Sequence, residues 1–324
     1  MNILVTGGAG YIGSHTVKEL IKKGFNVIIF DNLSTGKKEL IKSNNFYLGD
    51  LQEINSLNRA FEENRIDGVI HFASLSIVEE SYKFPERYYR ENILNALNLL
   101  DAMKKHGVKK IIFSSSAGVY GEPQYLPIDE NHPINPINPY GETKYVIEKI
   151  LYRYFINYNV SFISLRYFNA AGADLDGELG ELHDPETHLI PNILLSIIGK
   201  NKKFELFGDD FPTKDGTAIR DYIHVTDLSN AHVLALEKLF SNDDYHILNL
   251  GTGIGYSNRE IINCAERITG KKIEVEIKSR RRGDPHTLIA SNKKITEMLG
   301  WKPRNSDIET IIQTAWEWIR KHYI

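Results

Sequence analysis

Cysteine is nearly missing from this chain. Cys264 is the single one among 324 residues, so no intrachain disulfide forms and nothing calls for an oxidising compartment. No apolar run approaches the roughly 18 residues of a membrane-spanning helix. The chain runs straight into Asn2-Ile3-Leu4-Val5-Thr6, without the basic and then apolar pattern of a secretory signal. A cytoplasmic location is therefore expected. An excess of either charge is also lacking: 39 Lys and Arg stand against 42 Asp and Glu, a net charge of −3. Proteins that live on nucleic-acid polymers usually carry a basic excess, so that partner is not expected. There are no repeats and no low-complexity tracts. What is present is a hydrophobic fraction of 42%, enough to bury a substantial core in one large domain or two ordinary ones.

The first half alternates short apolar runs with longer helical patterns. Strands are expected at 3–6, 26–30, 46–48, 68–71, 110–115 and 161–167. Helices are expected at 12–23, 53–63, 85–106 and 139–158. This alternation implies βαβ units and a doubly wound parallel sheet of the α/β class. The strands are almost uniformly apolar, which implies helices on both faces. After residue 168 the rhythm weakens. Residues 169–180 read as loop, followed by helices at 190–199, 258–269 and 307–322 and strands at 246–250 and 273–277. The expected organisation is a nucleotide-binding domain over 1–168 and a smaller α+β lobe over 169–324, with segments exchanged between them.

The run Thr6-Gly7-Gly8-Ala9-Gly10-Tyr11-Ile12-Gly13 follows the first strand and opens the first helix. In that context Gly7, Gly10 and Gly13 permit a tight turn, close approach of a diphosphate and close helix–strand contact, with phosphate on the free N–H groups of the helix start. Asp31 ends the second strand, 18 residues after Gly13. A carboxylate there accepts hydrogen bonds from ribose hydroxyls and repels a 2′-phosphate, which favours NAD over NADP.

Tyr140-Gly141-Glu142-Thr143-Lys144 places a phenol and an ammonium one helical turn apart on one face. A Tyr side chain has a reference pKa near 10, so work as a base at pH 7 needs about 4 kcal/mol of preferential phenolate stabilisation. Lys144 and the cationic oxidised nicotinamide are the available sources. Taken alone, the pair also fits an exposed helix face. Ser114-Ser115-Ser116, ending the fifth strand at the carboxyl edge, favours the catalytic reading. His15, His71, His106 and His224 are read as structural, and Cys264 as a packed thiol. His183, Asp184 and His188 lie near one another in a loop-like stretch and are read as a solvated group; no metal is expected.

With its glycine motif, the serine ending the fifth strand and the Tyr140/Lys144 pair, the chain resembles the extended short-chain dehydrogenase/reductase family. Further segments bring it close to the family's UDP-hexose 4-epimerases. These are 113–121, His71-Phe72-Ala73, Arg166-Tyr167-Phe168-Asn169, 208–217, 220–225 and Arg281-Arg282-Gly283-Asp284. The resemblance covers nearly the whole chain. It implies interconversion of UDP-galactose and UDP-glucose through a transient 4-keto sugar and bound NADH, by a homodimer. Tyr140 would be the acid and base, Lys144 its tuner and a ribose ligand, and Ser116 a partner of the sugar 4-hydroxyl. Tyr11, Ile12, Asp31, Asn32, Asp50 and Leu51 would line the NAD site, as would Phe72, Ala73, Asn92, Ser114 and Phe168. Asn169, His188, Leu189, Arg220, Arg281 and Asp284 would hold the UDP moiety, and Leu288 would border the sugar. Two positions depart from the pattern. Ser76 stands where a Lys commonly contacts NAD phosphate, and His188 where an Asn contacts the nucleotide. The alternatives are a UDP-N-acetylglucosamine 4-epimerase or a dual-specificity epimerase, a sugar-nucleotide dehydratase, or a non-catalytic NAD-binding sensor. Ser116-Ala117 lacks the carboxylates a dehydratase needs, and the intact Tyr140/Lys144 pair argues against a sensor.

Overall fold

The computed structural model describes residues 1–200 and 203–324. The first half runs β1 (Asn2–Thr6), α1 (Tyr11–Lys22), β2 (Asn26–Asp31), β3 (Phe46–Leu48), α2 (Ile54–Glu63), β4 (Gly68–His71), α3 (Val78–Lys83), α4 (Pro85–Tyr88), α5 (Asn95–Lys105), β5 (Lys110–Ser116), α6 (Pro139–Tyr158) and β6 (Ser161–Tyr167). The second half runs β7 (Asn169–Ala171), α7 (Leu189–Ile197), β8 (Phe204–Phe207), β9 (Ile219–His224), α8 (Val225–Ser241) and β10 (Tyr245–Leu250). It continues with β11 (Gly255–Ser257), α9 (Asn258–Thr269), β12 (Val275–Lys278), β13 (Thr287–Leu288), α10 (Lys293–Leu299) and α11 (Ile308–Tyr323).

Seven parallel strands form the central sheet, in the order β10-β6-β5-β4-β1-β2-β3. Side chains alternate across it. Ile3, Val5, Val27 and Ile29 join one core with Val17 of α1 and Leu228 and Leu236 of α8. Leu4, Ile28 and Phe30 join the other with Leu57 of α2, Leu99 of α5 and Ile147 of α6. Both faces are thus covered, which is why the strands read as continuous apolar runs. The order in which strands are added reverses between β1 and β4, and this is where doubly wound sheets bind ligands, outside the carboxyl ends of the strands.

Several elements differ from the sequence reading. The helix expected over 85–106 is interrupted by a π-helical turn at Tyr89–Leu94 that carries Asn92. Residues 169–171, read as loop, pair in parallel with β9. The helix α8 was not expected, because burial nearly all round (Asp227, Ser229 and His232 included) erases its amphipathic period. The last strand of the sheet, β10, comes from the second half of the chain, and α8 packs on α1. A smaller sheet, β11-β9-β13 with β7 also on β9, lies beyond. Its strand β13 pairs Leu288 with Arg220, and Leu288 packs on Ala117, Val119, Tyr120 and Phe168 at the carboxyl edge of the large sheet.

Candidate active site

The cofactor side is assembled at the switch point. Gly7 has a φ of +73°, and a Cβ there would meet the amide nitrogen of Ala73 at 2.6 Å. The glycine turn therefore lies directly against the chain leaving β4. A Cβ on Gly13 would stand 2.1 Å from the Gly7 carbonyl oxygen, so only glycine lets α1 start this close to β1. Helix α1 begins at Gly10 with no side-chain cap, which leaves the N–H groups of its first turn for an anion. At the end of β2, Asp31 is buried and accepts the amides of Ala9 (2.9 Å) and Leu33 (2.8 Å), one on each oxygen. Burial pushes its carboxyl up, opposed by those two hydrogen bonds. Each oxygen keeps a lone pair for a diol. Next to it, Asn32 donates to Asp50 at 2.8 Å, and the Leu51 carbonyl accepts from Asn98. These observations fit a bound dinucleotide.

Asn92 spends its whole amide on protein: it accepts from the Leu75 N–H at 2.8 Å and donates to the Leu75 carbonyl and Thr143 Oγ1 at 3.1 Å each. It pins the 73–75 segment to α6. Thr6 and His71, at the ends of adjacent strands, share a hydrogen bond of 2.7 Å. Burial, aided by the Lys144 charge, pushes His71 down to about 3, so this imidazole is neutral and structural.

Helix α6 starts on Asn138, whose side chain accepts the Gly141 N–H at 2.8 Å. That cap points Tyr140 and Lys144 at the end of β5. Lys144 Nζ donates to Ser74 Oγ (2.7 Å) and the Ser114 carbonyl (2.9 Å), leaving its third proton for a ligand. Lys144 is only 2% exposed, and burial pushes its ammonium down to about 7. Burial raises the Tyr140 phenol, while its hydrogen bond with Ser116 pulls the other way. Ser114 Oγ meets Tyr167 Oη at 2.5 Å. Tyr140, Lys144, Ser114 and Ser116 therefore come together, and the phenol requires cationic help to ionise.

Sequence reasoning missed the frame behind this group. Glu148, one turn after Lys144, forms a buried bidentate pair with Arg166 at 2.9 and 2.6 Å and accepts Ser115 Oγ at 2.6 Å. Arg166 also donates to Tyr120, which donates to Asn249 of β10. A network centred on this charge pair and reaching β5, β6 and β10 thus locks α6 to the sheet. Such a pair has no local sequence signal.

On the opposite side, Asp221 is fully buried and accepts four hydrogen bonds, from Thr252 N–H and Oγ1, Gly253 and Ala290. This fixes β9, so that Asn169 donates to the Asp221 carbonyl at 3.0 Å. Arg220 pairs with Asp284, and the Arg281 guanidinium lies 4.0 Å over the Phe207 ring. Tyr11 turns its hydroxyl to the Gly172 carbonyl at 2.6 Å. His188 ends the loop before α7, which starts with Leu189, and its imidazole meets Glu181. Contrary to the expected solvated group, that loop gathers Glu181, His183, Glu186 and His188, with one ligating atom each lying within 4.8 Å of the others. Asp184 is not among them. No described helix is long and apolar enough to cross a membrane.

The family described as the NAD dependent epimerase/dehydratase family matches residues 3–251. The UDP-glucose 4-epimerase of Lacticaseibacillus casei is 48% identical over 323 residues, 99% of this chain and 98% of that one. The UDP-glucose 4-epimerase of Brucella ovis, solved in complex with NAD, superposes with a TM-score of 0.94 at 47% identity, covering 97% of each chain. That of Bifidobacterium longum, solved with NAD+ and UDP, gives 0.94 at 40% identity over 99% of each. With its glycine turn at the switch point and its Tyr140–Lys144–Ser116 group at the end of β5, this chain belongs to the NAD-dependent epimerase/dehydratase family.

Proposed function

We propose that the protein interconverts UDP-galactose and UDP-glucose, with NAD as a resident cofactor. The observation that carries this reading is the convergence of Tyr140, Lys144 and Ser116 beside a dinucleotide cradle. The C4–H of a hexose has no adjacent carbonyl and is not acidic, so inversion there calls for transient oxidation. The nicotinamide, when bound, supplies that by taking hydride from C4 and returning it.

The chain's own residues do the rest. Tyr140 Oη removes the proton of the sugar 4-hydroxyl and later restores it. Ser116 hydrogen-bonds the reacting oxygen and orients it. Lys144 supplies positive charge to the phenolate and its third proton to a ribose hydroxyl. Gly7, Gly10, Tyr11, Ile12 and Gly13 hold the diphosphate on backbone N–H groups, and Asp31 holds the adenosine ribose. Asn32, Asp50, Leu51, Phe72, Ala73 and Phe168 shape the rest of the cofactor site. Asn169, His188, Leu189, Arg220, Arg281 and Asp284 anchor UDP, whose two negative charges suit guanidinium forks. The sugar itself is held loosely, with Leu288 at its border, so that the keto intermediate turns over and presents its other face.

Residues 1–168 serve the cofactor and 169–324 the UDP-sugar, with α8 and β10 lent back to the sheet. The protein works in the cytoplasm, in galactose metabolism, as a homodimer. The exposed Tyr89, Leu94, Tyr152, Ile156 and Tyr158 on the α5/α6 side support the dimer, being apolar surface beyond what the sheet covers. Light scattering at micromolar concentration distinguishes it from a 37.0 kDa monomer. The decisive assay incubates the purified protein with UDP-galactose and no added NAD and identifies the sugar formed. Product that never contains glucose, even with NAD supplied, defeats the reading.

A further inference from the structure

The loop ahead of α7 holds a group of which only His188 enters the proposed UDP site. Glu181, His183, Glu186 and His188 follow a Glu-x-His-x-x-Glu-x-His spacing, and their ligating atoms lie within 4.8 Å of one another. Both imidazoles turn Nδ1 to the same oxygen, Glu181 Oε1, at 2.7 Å from His183 and in a shorter contact from His188. The carboxylate side chains of Glu181 and Glu186 are only 6% and 8% exposed. On each, Oε2 accepts no hydrogen bond from a described residue; the bonds fall on Oε1. Two carboxylates buried this close together repel each other unless positive charge stands between them. That separates this group from a hydrated acidic patch.

The loop is held in place by contacts that leave those oxygens free. Trp318 Nε1 donates to the Glu181 carbonyl at 3.0 Å, and Asn192 Nδ2 donates to the Glu186 and His188 carbonyls at 3.1 and 3.0 Å. Glu186 Oε1 accepts the Thr187 and His188 amides. The His183 ring stands edge-on to Tyr11, 6.2 Å between centroids, so the cluster adjoins the glycine turn.

We propose that Glu181, His183, Glu186 and His188 form a binding site for a divalent transition-metal ion, with Zn²⁺ as the best match, which fastens the loop before α7 beside Tyr11. Two imidazoles with two carboxylates suit Zn²⁺ and its first-row neighbours, whereas Mg²⁺ and Ca²⁺ prefer all-oxygen sets. Four ligands at about 2.0–2.2 Å from the ion lie roughly 3.4 Å from one another, so the cluster tightens on binding. His188, whose side chain is 52% exposed, is free to make that movement. Charge balances: two carboxylates and two neutral imidazoles take one divalent ion, and any imidazolium proton leaves to solvent.

The test uses the full-length, tag-free protein, stripped with a chelator and then equilibrated with Zn²⁺ or, separately, Co²⁺. We expect one retained ion per chain by elemental analysis after gel filtration. We also expect a visible Co²⁺ spectrum of four-coordinate intensity that Zn²⁺ abolishes. His183→Ala and His188→Ala each lower Zn²⁺ affinity at least ~10-fold, and circular dichroism checks that both stay folded. These two variants carry the test because their side chains lie nearer the surface than the glutamates. No retained ion in the wild type overturns the proposal. So does equal affinity in the wild type and the His183→Ala/His188→Ala double variant. Because neither readout uses turnover, failure of the epimerase reading leaves this result intact.

Discussion

The two sides of the site are built by different means. On the cofactor side, polar groups are held by backbone and by neutral partners: Asp31 by two amides, Lys144 by Ser74 and the Ser114 carbonyl, Asn92 by Leu75. On the side proposed for UDP, three of the proposed anchors hold other charged or aromatic side chains: Arg220 pairs with Asp284, Arg281 covers Phe207, and His188 meets Glu181. The first arrangement is preorganised and costs little to engage. In the second, an arriving diphosphate must compete with ion pairs already present. Under the proposed function, that difference suits one side to chemistry on a resident group and the other to exchange of a mobile one.

The sharpest probe of that contrast is Tyr140→Phe. It removes only the ionisable oxygen, so turnover should fall by about 10³-fold or more with folding and nucleotide content intact. Steady-state kinetics with UDP-galactose decide it, and near wild-type turnover displaces Tyr140 from its role. Next comes Gly13→Ala, whose Cβ meets a backbone oxygen that has no room to retreat. We expect a loss of about 3 kcal/mol in denaturant unfolding and little copurifying NAD. A stable variant with full NAD content removes the argument from close approach.

Arg220→Met addresses the opposite side. It should raise KM for UDP-galactose by about 2–3 kcal/mol in binding terms while kcat changes far less. Equal losses in kcat and kcat/KM would merge the two sides into one catalytic unit.

Lys144→Met carries a sign that distinguishes function from stability. Burial depresses this ammonium from 10.5 to about 7, so the unfolded chain binds more protons between those values. The charged lysine therefore costs stability, fully below pH 7, and the cost fades as pH rises towards 10.5. Replacing it with an apolar side chain of similar length should stabilise the fold by about 1–3 kcal/mol at neutral pH while lowering turnover. Thermal melts at pH 7 and pH 10 test this, and a destabilised variant at both contradicts it.

The smallest effect expected is one of selectivity at Leu288. Leu288→Tyr should reduce, and Leu288→Ser increase, turnover of UDP-N-acetylglucosamine relative to UDP-glucose, by about 1–3 kcal/mol. If kcat/KM ratios are unchanged, breadth is governed elsewhere.

The strands and helices of the first half were legible because each is a local pattern: a short apolar run, a 3.6-residue period, a glycine turn between them. Helix Pro139–Tyr158 and strand Ser161–Tyr167 match residue for residue. Elements whose patterns burial distorts were not legible. Helix α8 is buried nearly all round, its polar Asp227, Ser229 and His232 included, and β9 contains Arg220 and Asp221, which look like surface residues until four donors close on the aspartate. The same holds within the site. Tyr140 and Lys144 are one helical turn apart and can be read from spacing. Glu148 and Arg166 lie on different elements, and only folding makes them partners.

What the amino-acid sequence determined by itself is the alternating α/β architecture, the glycine turn followed by a carboxylate at the second strand's end, and the phenol–ammonium pair. Each depends on residues close in the chain, where backbone geometry alone dictates who faces whom. Tertiary structure alone decided that β10 completes the sheet and that Asp221 is buried. It likewise decided that Arg220 faces Asp284 and that Glu181, His183, Glu186 and His188 converge. Those outcomes depend on packing between distant segments, where desolvation and charge act over ångströms of space rather than over positions in the chain.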